Sequence, residues 1–91
     1  MNTELNFLHL RNIDNQGGID CRGGATVAFR ELQPGVIQYA AAFCSPQDNF
    51  NKAYGRTKAA GRLNSVRWSA TVEGLDLPTF RKNVLDGNFD I

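Results

Sequence analysis

The sequence predicts an α+β domain: a small antiparallel β-sheet of about four strands with one long helix packed on a face and a short C-terminal helix. Three observations carry that prediction. Residues 25–44 read as two strand-like runs joined by Pro34-Gly35, the pattern of a hairpin. Residues 44–63 join a helix start signal to an apolar stripe. A further alternating stretch, 64–72, precedes a second helix signal at Asp76-Leu77-Pro78. Layers of this kind bury one face of a sheet under helices.

Ninety-one residues form one domain, 1–91, near the lower size for a self-sufficient core, so a homodimer or higher oligomer is compatible with the length. With 42% hydrophobic and 21% charged residues, the composition is that of a folded globular chain and excludes a purely electrostatic nucleic-acid tail.

In chain order, residues 4–11 read as a strand. Leu5 and Phe7 are followed by Leu8 and Leu10, a change of phase that a bulge or burial on both faces explains. Residues 12–24 hold Gly17-Gly18 and Gly23-Gly24 and read as a loop with one short strand near Ile19. Ala25, Val27 and Phe29 alternate with Thr26, Ala28 and Arg30 in a half-buried strand. After the turn Leu32-Gln33-Pro34-Gly35, residues 36–44 carry little polarity on either side, which predicts a central strand covered on both faces, one of them by another subunit.

Ser45-Pro46-Gln47-Asp48 predicts a helix N-terminus at Ser45, since a serine oxygen accepts from first-turn amides and Pro46 suits the first helical position. At about 100° per residue, Phe50, Ala53, Tyr54, Thr57, Ala60 and Gly61 share the arc expected to face the sheet. The opposite arc holds Lys52, Arg56, Lys58 and Arg62 around Gly55 and Ala59, a cation-rimmed groove floored by two small residues. Gly61 is expected to permit a close crossing over the sheet, and Gly55 either to serve packing in the same way or to admit a ligand or a partner's backbone.

Residues 64–72 then form a strand with Trp68 in the core. Asp76 caps a short helix built on Leu77, Phe80, Val84 and Leu85 and ended by Asp86-Gly87. The tail 88–91 offers Phe89 and Ile91 for docking.

The net charge of +1 conceals a dipolar layout. Residues 49–72 carry Lys52, Arg56, Lys58, Arg62 and Arg67 and no acid, whereas residues 73–91 hold four acids against Arg81 and Lys82. An anionic partner is therefore expected at Lys52, Arg56, Lys58, Arg62 and Arg67, with Asn51 supplying hydrogen bonds, unless this face serves solubility alone. Asn49 and Asn64 can also reach sugar or base edges. No finger spacing, helix-turn-helix pair or RNA-recognition motif accompanies the cations.

Enzyme constellations are poor. His9 is the lone histidine and reads as a satisfied strand residue. Cys44, expected beside a helix N-terminus, is the sort of thiol that becomes a nucleophile, yet no motif supplies a base. Cys21 and Cys44 lack metal-site spacing, as do Asp14, Asp20 and Asp48, and no phosphate-binding glycine loop is present. The start Met-Asn-Thr-Glu-Leu-Asn-Phe lacks the pattern of a secretory signal, and no run nears the ~20 apolar residues of a span. The expectation is a cytosolic, non-enzymatic protein with free thiols, no cofactor and no metal.

At Cys44-Ser-Pro-Gln-Asp-Asn-Phe-Asn-Lys52, Gly55-Arg56 and Ala60-Gly61-Arg62-Leu63 the chain resembles short phage-encoded proteins that block bacterial immunity. It looks most like the small anti-CRISPR proteins. That resemblance implies a compact α+β inhibitor in the host bacterial cytoplasm, bound to a CRISPR effector complex of protein and guide RNA. Lys52, Arg56, Lys58 and Arg62 would contact guide RNA or an acidic protein surface as a physical plug. A second resemblance, to Thoeris anti-defence proteins, implies a sponge for a cyclic nucleotide signal with Arg56, Arg62 and Phe50 as its nearest contacts. A general nucleic-acid-binding or interaction module is the third expectation.

Overall fold

A computed structural model describes residues 4–13 and 15–86. Strands β1 (Asn6–Leu10), β2 (Ala25–Gln33), β3 (Val36–Phe43) and β4 (Ser69–Glu73) form one antiparallel sheet in the order β1-β2-β3-β4. Helix α1 (Lys52–Leu63) lies between β3 and β4 in sequence, and α2 (Leu77–Leu85) closes the described chain. The predicted α+β architecture is the one observed.

The two faces of the sheet are packed with different materials. On one, Leu8, Val27, Phe29 and Ile37 meet Phe80 and Val84 of α2, with Leu10, Tyr39 and Val72 at the margin. Phe80 lies 5.0 Å from Phe29 and 5.4 Å from Tyr39 between ring centroids, within the usual range for paired aromatics. Fully burying side chains of this size stabilises the fold by about 1.5–3 kcal/mol each. The other face is an alanine floor. Ala28, Ala40 and Ala42 meet Ala59 and Leu63 of α1, with Phe7 beside them.

This two-sided packing explains the phase change in the first strand. Leu8 and Leu10 face α2 while Phe7 faces α1, and β1 pairs with β2 in continuous register from Asn6↔Phe29 to Leu10↔Ala25. Two-faced burial, not a bulge, accounts for the pattern there. Helices of the same chain, not another subunit as expected, cover both sides of β3: α2 meets Ile37, and α1 meets Ala40 and Ala42. The hairpin turns at Pro34-Gly35, where Gly35 takes φ 81°, and the sheet's register shift falls between Glu31 and Gln33.

Several predictions fail locally. The long helix starts at Lys52, not near Ser45, and Asn51 is its N-cap, accepting from the Tyr54 amide at 3.0 Å. Residues upstream are held by the loop instead: Gly23 N–H donates to Asp48 O (3.0 Å), Phe50 N–H donates to Cys21 O (2.7 Å), and Arg22 bridges Asn49. Backbone groups spent on that pairing are unavailable to a helix. Gly23 and Gly24, at φ 69° and 102°, allow the loop to reach it. Ser45 closes a turn, its carbonyl accepting from Asp48 N–H at 3.0 Å and its hydroxyl from Gln47 N–H at 3.3 Å. The short strand expected near Ile19 is reduced to an isolated bridge between Ile13 and Ile19.

Second, β4 begins only at Ser69, because residues 65–69 turn back on Ser65 O, which accepts from Trp68 N–H and Ser69 N–H. Trp68 is consequently 55% exposed and Val66 97% exposed, and neither belongs to the core. Third, Leu85 of α2 is exposed while Phe80 and Val84 supply the helix's buried face. Asp76 is the cap of α2, accepting from Thr79 N–H at 2.8 Å. Asp86 is its C-cap, while Gly87 and the proposed docking residues Phe89 and Ile91 lie outside the described residues. Among the described residues no helix is long and apolar enough to cross a membrane.

Candidate nucleic-acid interface

The sheet-facing side of α1 is the reverse of the one the helical wheel suggested. Ala59 and Leu63 are buried and Gly55 half-buried, whereas Ala53, Tyr54, Thr57 and Gly61 are exposed. The groove floored by Gly55 and Ala59 is therefore not an open cation-rimmed surface: Ala59 is packed on the sheet and Gly55 stands over Thr26. A Cβ on Gly55 would collide with the Oγ1 of Thr26 and stand 3.1 Å from its Cβ, and Thr26 is fully buried. Gly61 has open space where a Cβ would go. Gly55, not Gly61, permits the close crossing of α1 over the sheet, for a physical reason. A floor of alanines accepts only small residues in close approach, while longer side chains on neighbouring positions are pushed outward.

The predicted cations separate into two groups along the helix. At its C-terminal end Arg62 is committed to structure: its guanidinium donates to Ala41 O at 3.0 Å and lies 4.9 Å from the Trp68 ring centre. Arg67 stands 5.6 Å from the same ring. Gln38 closes this end by donating to Leu63 O at 2.9 Å while accepting from Arg30 Nε at 2.9 Å. Asn64 is the C-cap.

The N-terminal end is arranged otherwise. Lys52 and Arg56 are exposed, no acid stands in α1, and the partly positive helix terminus adds to their field. Beside them β1 contributes His9 and Arg11, neither of which the sequence marks as a binding residue. Their position follows from alternation: they project to the α1 face because Leu8 and Leu10 project to the other. His9 Nδ1 is 3.0 Å from Thr26 Oγ1, and its ring meets Phe50 edge to face at 5.6 Å. Arg11 stacks on Phe50 at 4.4 Å, donates to Asp20 O at 3.3 Å, and keeps a buried Nε with no hydrogen-bond partner among the described residues. His9 is held below its ordinary pKa of 6.5, first by burial and then by the positive charges of Lys52, Arg56 and Arg11. Three cations therefore converge on one imidazole.

Phe50 also borders a cleft of about 460 Å³ between the 44–51 segment and α1. Thr26, Ala42 and Gly55 lie at its base side, and Asp48, Asn49, Asn51, Tyr54 and Lys58 supply its functional groups. Asn51, predicted as a binding residue, spends its Oδ1 on the helix cap and retains its amide N–H groups as donors. Lys58 is half-buried with Nζ 5.7 Å from the ring centre of Tyr54. Cys44 also borders the cleft, eight residues before α1 starts, and its thiol lies 3.5–3.6 Å from the carbonyl oxygens of Ser45, Asp48 and Asn49. These are acceptors for a thiol hydrogen, so the sulfur is tied into the turn. Both cysteines are free.

No family model, curated protein or solved structure matches the chain.

Proposed function

We propose that this chain is a non-enzymatic binding protein that engages the RNA of a CRISPR surveillance complex and obstructs nucleic-acid recognition, the role implied by the anti-CRISPR resemblance. The contact is made by Lys52 and Arg56 at the start of α1 together with Arg11 and His9, with Lys58 and Asn51 extending it along the helix. Arg62 and Arg67 belong to a separate patch at the far end. One observation carries this reading: Arg11 and His9 share the ring of Phe50, two residues before α1 begins, where Lys52 and Arg56 are exposed, and α1 contains no carboxylate to neutralise them. Arginine forks and lysine point charges at such a corner suit a phosphate backbone.

The test is co-purification and cleavage inhibition with reconstituted CRISPR effector complexes. The reading predicts a stable complex that is lost when Lys52 and Arg56 become glutamate. Absence of both binding and inhibition across the effector types would overturn it. A cyclic-nucleotide sponge draws on the 460 Å³ cleft but finds less support, because Arg56 and Arg62 do not border that cleft and Asp48 does. Calorimetry with cyclic nucleotides separates the two, since the sponge requires stoichiometric heat in the absence of RNA.

A further inference from the structure

The cation cluster and the cleft share a wall. Phe50 carries Arg11 on its ring at 4.4 Å and His9 at its edge, and it also borders the cleft. Thr26 bonds His9 and lies at the cleft's base side. Asn51 and Gly55 border the cleft, and the next residue after each is a cation, Lys52 and Arg56. A chain whose phosphates lie on the cations is one short step from the cleft.

The chemistry inside the cleft differs from that outside it. Asp48 would repel a phosphate, but its carboxylate accepts hydrogen bonds from an exocyclic amino group. Asn49 and Asn51 offer amide groups to a ring edge. Tyr54 is 66% exposed although it stands on a helix beside the core, and its ring is suited to stacking with a base. A volume of about 460 Å³ lies within the range of small-ligand pockets. Bases paired in a duplex keep their edges and faces occupied, so only an unpaired base could enter.

We infer that the cleft receives one unstacked, amino-bearing nucleobase of a single strand, stacked on Tyr54 and read by Asp48 and Asn49, while the adjoining phosphates rest on Arg11, Lys52 and Arg56. The inference rests on the nucleic-acid reading and specifies it: single strands are preferred to duplexes, and cytidine or adenosine to uridine, which has no exocyclic amino group. No chemistry occurs on the base.

Fluorescence anisotropy at low salt with labelled oligocytidine, oligouridine and an RNA duplex tests this on the intact chain. The native protein is expected to bind oligocytidine more tightly than either of the others. Tyr54→Ala should weaken oligocytidine binding about tenfold, as loss of one stacked base does, leave duplex binding unchanged, and be rescued by Tyr54→Phe. Asp48→Ala should erase the preference for cytidine over uridine. Tyr54 is exposed, and circular dichroism of the variant confirms the fold. The inference is overturned if Tyr54→Ala binds oligocytidine like the native chain while Lys52→Ala with Arg56→Ala weakens it. If the native chain binds none of these probes at low salt, the nucleic-acid reading itself fails, and the two failures are thereby distinct.

Discussion

The two ends of α1 carry similar charge and have different work. At the C-terminal end Arg62 bonds a β3 carbonyl and, with Arg67, stacks on Trp68. At the N-terminal end Lys52 and Arg56 are exposed, and Arg11 and His9 join them from β1. A count of cations along residues 52–67 treats both ends alike. What separates Arg62 from Lys52 and Arg56 is a backbone acceptor already engaged, because a guanidinium held on a backbone oxygen must break that bond to meet a phosphate.

The largest break in this contrast comes from reversing charge. Lys52→Glu with Arg56→Glu should lower affinity for single-stranded RNA by about a hundredfold or more at low salt, since two attractions become repulsions. Arg67→Glu, read by the same anisotropy titration, should change it by less than about tenfold.

Next come the helix glycines, which sharpen which side of α1 is buried. Gly55→Ala drives a methyl into Thr26, and overpacking of about 1–3 kcal/mol exceeds the gain of about 1 kcal/mol in helix propensity. Urea unfolding should show a net loss. Gly61→Ala meets open space and should stabilise the chain by about 0.5–1 kcal/mol in the same experiment. Equal and opposite results would restore the reversed helix face.

Arg62→Ala should destabilise the domain by about 1 kcal/mol through loss of its bond to Ala41 O, while leaving RNA affinity close to native. The smallest effect is the pH response of His9. Its folded pKa lies below 6.5 because of burial and of Lys52, Arg56 and Arg11, so the unfolded chain takes up the proton first. The stability it contributes is complete above pH 6.5 and is lost as pH falls through the folded value. RNA binding should run oppositely, tightening over that range, because a phosphate favours the charged imidazole. His9→Gln should flatten both profiles in urea unfolding and anisotropy.

The hairpin, the sheet's strand content and the α2 cap were readable because their signals are local. Alternation over residues 25–31 and an Asp-x-Pro start need no distant partner. The start of α1 was not, since Ser45-Pro46-Gln47-Asp48 competes with hydrogen bonds from Cys21 and Gly23, more than twenty residues away. Which face of α1 is buried was misjudged for a related reason. The more apolar arc was assigned to the sheet, yet Thr26 selects Gly55 and the alanines of β2 and β3 select Ala59 for their small size, and Lys58 and Arg62 flank them as long side chains with charged ends. His9 and Arg11 could have been found from the alternation of the first strand alone. Their meeting with Lys52 and Arg56 could not, because it depends on how α1 crosses the sheet.

The central claim is that the N-terminal end of α1 is the phosphate-binding end, and the salt dependence of single-stranded RNA binding tests it most directly. Replacing Lys52 and Arg56 with alanine should reduce the slope of log affinity against log salt by about 1.4, the value for two lost phosphate contacts on a single strand. Replacing Arg62 and Arg67 should leave that slope unchanged. A slope insensitive to Lys52 and Arg56 but reduced by the Arg62 and Arg67 pair would place the interface at the Trp68 end and contradict the assignment.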